Sequence, residues 1–134
     1  MEVDEAAALG EKFYRAFLAG DAARLAEVVA PEAAWIVPLD TVLSGAHRGP
    51  EGIAELRRTI DELTQGSWRP LRDDSFDVVA SLWHAAIVDR FLAEREGREL
   101  DSHEAIVVAH GDGRIVRLFH YLHDPDEFAR FWSR

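Results

Sequence analysis

Hydrophobic positions change their period midway along the 134-residue chain. In "DEAAALGEKFYRAFLA" (4–19), Leu9, Phe13, Ala16 and Phe17 recur at helical spacing, with Tyr14 and Leu18 along an adjoining edge. A helix is predicted there, with Gly20 at the C′ position that favours glycine. Asp21 then caps a second helix over "AARLAEVVA", which must stop before Pro31. "AAWIV" (33–37) reads as a buried strand ended by Pro38, followed by a loop through Ser44-Gly45 and Arg48-Gly49. Gly49-Pro50-Glu51 starts a third helix, in which Ile53, Leu56, Ile60 and Leu63 keep 3-4-3 spacing until Gly66. From Trp68 the period falls to two. Strands are predicted over 67–80, 84–95, 99–109 and 114–123. Gly97-Arg98 suits a two-residue hairpin turn and "HGDG" (110–113) a three- or four-residue one. "SLWH" (81–84) is a poor turn by composition, and Trp83 is out of place in it. The tail "DPDEFARFW" is a short helix capped by Asp124, with Phe128, Phe131 and Trp132 packing back.

This order calls for one α+β domain spanning residues 1–134. A cone-shaped, curved antiparallel sheet would wrap around three N-terminal helices, with the short helix closing the chain. Such a half-open cone has an apolar interior and one wide end, where small ligands bind. Composition changes the picture mainly by exclusion. The chain carries 15 Lys and Arg against 25 Asp and Glu, a formal charge of −10, so a nucleic-acid backbone or anionic membrane is a poor partner. There is no cysteine, which excludes disulfides, thiolate nucleophiles and Cys-ligated zinc. No apolar run approaches the roughly 18 residues of a membrane span. The acidic start "MEVDEAAALGEKF" lacks the order of a signal peptide, so a cytoplasmic location is expected.

Several stretches, "FYRAFLAGDAARLAEVVAPEAAW", "WIVP…LSGAHRGPEGI", "DGRIVRLFHY" and "DPDEFARFW", resemble the nuclear transport factor 2-like superfamily, in its SnoaL-like polyketide cyclase and ketosteroid isomerase-like branch. The resemblance implies a cystatin-like cone and dimers joined through the outer sheet face. It does not imply one reaction, because such folds host isomerases, cyclases, dehydratases, epoxide hydrolases and non-catalytic binders. Ketosteroid isomerase-like enzymes place an aspartate base at the end of the first strand; here that residue is Val37. Their tyrosine on the first helix falls at Phe13, beside Tyr14, and their protonated aspartate near Ala105, beside Glu104. That mechanism is therefore not expected. No Asp–Arg–Asp set stands at the positions that a resemblance to limonene-epoxide hydrolases would require either.

With Gly97-Arg98 as the turn, Val88, Arg90 and Leu92 share a face with His103, Ala105 and Val107, and the opposite face carries Asp89 and Glu104. Both faces are half apolar. The resemblance places the Ala105 position in the cavity and so selects the Arg90/His103 face; a one-residue slip would bring Asp89 inward instead. A four-residue "HGDG" loop puts Leu118, His120 and Leu122 on the cavity side, whereas a three-residue loop would present Arg117, Phe119 and Tyr121. His103 and His120 can both take and give a proton near neutral pH. Arg90 can hold an oxyanion, Tyr14 can donate to one, and Asp40 in the mouth loop is a displaced candidate base. Against these stand plainer roles: hydrogen-bonded sheet histidines, a surface ion pair for Arg90, a solvated loop carboxylate and a core-edge tyrosine. Phe13, Phe17, Trp35, Val37 and Leu43 complete the expected pocket wall. His47 and Arg48 approach the N-terminus of the third helix as an anion site, or Arg48 fixes the loop by pairing with a nearby acid. Nothing calls for a metal or a nucleotide cofactor: no HExxH, facial triad, GxGxxG or P-loop occurs, and His120 and His123 point to opposite faces of one strand.

The leading expectation is a cofactor-independent enzyme that moves protons on an apolar carbonyl or polyketide-like compound, with a homodimer as the working form. The alternative is a non-catalytic dimeric module that binds a small hydrophobic molecule. A third is a protein-interaction subunit. An open pocket of several hundred Å³ with inward histidines suits the first, an all-apolar pocket the second, and a filled cone the third.

Overall fold

The first 40 residues build two helices that pack against the sheet and a strand that joins it. The computed structural model describes residues 2–72 and 76–134. The apolar edge of α1 (Val3–Ala19) buries Ala6, Phe13, Tyr14, Ala16 and Phe17, and Gly20 ends it in a left-handed conformation. The Asp21 side chain accepts from the Arg24 amide and starts α2 (Ala22–Val28). β1 (Ala34–Val37) follows. The stretch expected as loop then contains β2 (Gly45–Arg48), which pairs antiparallel with β1 and runs into α3 (Gly49–Thr64). Period-two patterning gave no warning of β2, because "GAHR" has no apolar alternation.

The segment expected as one strand over 67–80 is two. β3 (Arg69–Pro70) and β4 (Asp77–Ala80) each pair with the long β5 (His84–Arg95), and residues 73–75 of that expectation lie outside the described residues. β6 (Arg98–Gly111), β7 (Arg114–Leu122) and the final α4 (Pro125–Phe131) complete the chain. Among the described residues the sheet has seven strands in the order β2-β1-β7-β6-β5-β3, with β4 also on β5. It is mixed: every pairing is antiparallel except β1 with β7. The α+β fold expected from the pattern is what forms, a curved open sheet against helices.

Both tight hairpins use two residues at positive φ. Glu96-Gly97 (51° and 79°) joins β5 to β6, and Asp112-Gly113 (53° and 79°) joins β6 to β7. Such paired left-handed residues match the twist of the flanking strands. The first turn sits one residue earlier than expected, which moves the pairing by two and leaves face membership unchanged. The irregularity at Ala109/His110 then resets β7, so that Val108 faces Leu118 and Ile106 faces His120.

The face chosen for the interior is the opposite of the one expected. Ala85, Ile87, Asp89, Phe91 and Ala93 of β5 are buried with Leu100, Ser102, Glu104, Ile106 and Val108 of β6. Val88, Arg90, Leu92, His103, Ala105 and Val107 look outward, with His103 exposed. The bulkier aliphatic and aromatic groups go under the helices. The two carboxylates that travel with them are tolerated because each meets a donor from a distant element. At the C-terminus α4 is clamped from the β5–β6 hairpin: the buried Arg95 guanidinium donates to the Phe131 and Ser133 carbonyls, both at 2.9 Å, and Arg98 donates to the Arg130 and Phe131 carbonyls. Cations on the last carbonyls of a helix are well placed.

Candidate functional site

Two polar units cross the otherwise apolar interior. Asp89 and Glu104 lie directly opposite on β5 and β6. The Tyr14 hydroxyl, from α1, donates to Asp89 Oδ2 at 2.7 Å, and the Arg90 amide donates to Oδ1 at 2.8 Å. Burial pushes the Asp89 carboxyl above its ordinary range, and these two donors oppose that shift. Tyr14 is pushed far up, first by burial and then by the adjacent carboxylate, so its hydroxyl stays a donor.

The second unit is longer. The Trp35 Nε1–H of β1 donates to His120 Nδ1 at 3.2 Å, and His120 Nε2 lies 2.5 Å from Glu104 Oε1. Both side chains of the His120–Glu104 pair are only 7% exposed. The imidazole stands edge-on to Trp35 (5.6 Å) and to Phe128 of α4 (5.8 Å). This unit opens into a cavity of about 30 Å³, whose walls include Phe17, Trp35, Trp68, Phe91, Phe128 and Trp132. Leu56 and Ile60 of α3, with Val37, Leu43 and Ile106, fill the gaps between the rings. That space suits about one or two waters, which the Glu104 carboxylate can bind. The wide, open cone expected from the sequence is therefore largely filled by aromatic rings, the arrangement that suits an interaction subunit, and His120 is the one expected histidine that still faces inward.

Of the residues singled out from the sequence, His120, Phe17, Trp35, Val37 and Leu43 line the cavity. Leu43 reaches it because its loop is tied down. The Ser44 hydroxyl donates to the Pro38 carbonyl, the Leu43 amide donates to Thr41 Oγ1, and the His47 ring bonds the Leu43 carbonyl at 2.8 Å. His47 rather than Arg48 thus fixes the loop. Phe13 and Leu118 are buried in the core beside the cavity, Leu122 is half-buried, and Tyr14 belongs to the neighbouring Asp89 unit.

Other candidates are placed away from it. His103 lies on the outer face with its ring 6.0 Å from that of His123. Arg90, also outside, forks onto Asp101 with two 2.7 Å hydrogen bonds. Asp40 is solvated and pairs with Arg134 at 2.9 Å. Val88, Leu92, Ala105 and Val107 go outward with them, since β-strand neighbours alternate and Asp89 and Glu104 take the inner positions. The cavity residue near the Ala105 position is thus Glu104. A signal for it existed: a lone carboxylate in "HEAIVVA", on the face that also carries Ile106 and Val108. Trp68, Phe91, Phe128 and Trp132 were legible as core, not as cavity wall.

A larger groove of about 510 Å³ runs outside, between β1 and β7, past Ile36, Pro38, Phe119 and Tyr121. Straight across the strands, Val79, Ala86, Val107, Phe119, Ile36 and Ala46 follow one another in register as an apolar row.

Comparison with known proteins agrees with this architecture. The family model described as a SnoaL-like domain matches residues 11–118. The uncharacterized protein Rv0034 of Mycobacterium tuberculosis (strain ATCC 25618 / H37Rv) is 30% identical over 125 residues, covering 93% of this chain and 94% of that one. Bal32a, from a soil-derived mobile gene cassette, superposes with a TM-score of 0.85 at 26% identity, over 99% of this chain and 100% of its own. A nuclear transport factor 2-like protein from Burkholderia xenovorans LB400 superposes at 0.83 and 21% identity, over 99% of each chain. Helices, mixed open sheet and matched span together lead to one conclusion: the chain has the fold of a nuclear transport factor 2-like protein and belongs to the SnoaL-like domain family.

Proposed function

We propose that this protein is a small-molecule enzyme of the isomerase or cyclase type, moving a proton of an apolar carbonyl substrate with Glu104 and His120. The observation that carries the reading is a carboxylate and an imidazole in contact, 7% exposed, at the edge of an aromatic-lined cavity. A buried ionisable pair is a poor way to gain stability and a common feature of acid–base sites. The aromatic wall supports a compact, largely apolar substrate. A ring-sized substrate requires that wall to give way. The working form is a homodimer joined through the apolar row on the outer face.

The test is exchange of carbon-bound protons in D₂O, followed by NMR on small cyclic ketones such as cyclohexanone and 2-cyclohexenone. The wild type should accelerate exchange over buffer. Glu104→Gln should lower that rate by about 10²–10⁴-fold, the usual weight of a general base, with circular dichroism unchanged. Equal rates for the two proteins across the panel would overturn the assignment. A non-catalytic dimeric binder is favoured by one observation: Arg90, the cation expected to face an oxyanion, lies outside the cavity on Asp101. That reading expects ligand capture without exchange.

A further inference from the structure

We propose that Trp35 is a positioning residue, whose indole N–H locks His120 in the Nε2–H tautomer and leaves Glu104 as the proton-accepting end of the pair. The tautomer follows from geometry; its catalytic consequence rests on the acid–base reading above. An indole N–H can only donate. His120 Nδ1, 3.2 Å from it, must therefore offer a lone pair and carry no proton. A neutral imidazole has one ring proton, which is then on Nε2 and donated to the Glu104 carboxylate at 2.5 Å. The other tautomer, or the imidazolium, would set two N–H groups against each other at the Trp35 contact.

Trp35 is held firmly enough to impose this choice. It is 3% exposed, so water does not replace its N–H, and its ring packs 4.6 Å from Phe17 and 6.1 Å from Phe13. Its strand is fixed beside β7, with Trp35 in register with Leu118, two residues before His120. The chain of hydrogen bonds also ends there, because an indole neither gives up nor accepts a proton in acid–base chemistry near neutral pH. His120 is thus a donor that steadies the carboxylate, not a relay to solvent through Nδ1. When a substrate C–H bond breaks, its electron pair stays on the substrate and the proton forms an O–H bond on Glu104. The same group returns the proton to complete an isomerisation. The sequence reading gave that shuttle to the histidines, and the Trp35 contact moves it to Glu104.

The tautomer is measurable directly on the full-length, ¹⁵N-labelled protein by long-range ¹H–¹⁵N NMR, with His120 assigned by its loss in His120→Gln. The wild type at neutral pH is expected to show an unprotonated Nδ1, a protonated Nε2, and a scalar coupling across the Trp35 N–H···Nδ1 bond. In Trp35→Phe the coupling vanishes and the Nδ1–H population rises about fivefold, the weight of one ordinary hydrogen bond. Glu104→Gln should leave the tautomer as it was, since its amide oxygen still accepts from Nε2. A wild-type ring protonated on Nδ1, or an unchanged tautomer in folded Trp35→Phe, overturns the proposal. If Trp35→Phe does not fold, the wild-type ring shifts and coupling still decide it. Ketone exchange that depends on Glu104, combined with the wrong tautomer, sinks the role of Trp35 alone. The expected tautomer without exchange sinks the enzyme alone.

Discussion

Asp89 shows how a single residue makes stability depend on pH. Its carboxyl is taken out of water, and burial raises its pKa above the ordinary 3.8 despite the Tyr14 and Arg90 donors. A group whose folded value is raised holds its proton more tightly in the folded chain. Its contribution is fully present below the unfolded pKa and is lost as pH rises through the folded one. Asp89→Asn keeps the shape and the Tyr14 contact but cannot ionise. Urea unfolding at a series of pH values should show the variant gaining on the wild type as pH climbs from about 4, then levelling off above the folded pKa of Asp89. A difference that stays flat with pH would mean that burial does not act on this carboxyl. Asp101 offers the contrast, its carboxyl held low by the Arg90 fork in an exposed pair that solvent screens.

The chain approaches itself closely where β2 gives way to α3. Gly49 has φ +68°, and a Cβ there would stand 2.9 Å from the Pro31 carbonyl oxygen, a backbone atom with little room to move. Its amide donates to the Ala33 carbonyl at 2.7 Å, so this one residue ties the start of α3 to the entry of β1 and hence to the strand bearing Trp35. Gly66, at φ +78° after α3, would meet nothing within 4 Å. Gly66→Ala should therefore cost only left-handed strain, about 1 kcal/mol. Gly49→Ala adds the clash and should cost about 3 kcal/mol. Denaturant unfolding of the two variants separates the terms, and equal losses would show that the Pro31 approach relaxes freely. The helix start at Gly49-Pro50-Glu51 was legible from its residues. The β2 pairing before it was not, because its partner β1 alone supplies the reason for it to be a strand.

At the scale of the whole molecule the sheet has two differently used faces. The inner one closes on the helices, while the outer one carries an apolar row with Ile36 50% and Phe119 38% exposed, beside Tyr121 at 58%. An exposed apolar stripe of this length on a protein of charge −10 is better covered than wet. In the proposed homodimer Phe119→Glu places a charge at the centre of the contact. Sedimentation should then show a dimeric wild type and a monomeric variant with unchanged circular dichroism. A wild type that stays monomeric at high micromolar concentration would remove the dimer.

Local patterning sufficed for the helices, for β1 and for the three long strands, because a 3.6- or 2-residue period is written into neighbouring residues and needs no partner. It also sufficed to place Asp89 with Glu104 on one face and Arg90 with His103 on the other, though not opposite one another, since face membership survives a two-residue shift of register. Which face turned inward was decided only by tertiary structure. The inner face takes the bulkier apolar groups, and its two carboxylates are tolerated because of partners elsewhere in the chain: Tyr14, 75 residues from Asp89, and His120, 16 from Glu104. The same holds for His120 itself. Its inward place was open to strand arithmetic, but its proton is set by an indole 85 residues away that only the parallel β1–β7 pairing brings to it.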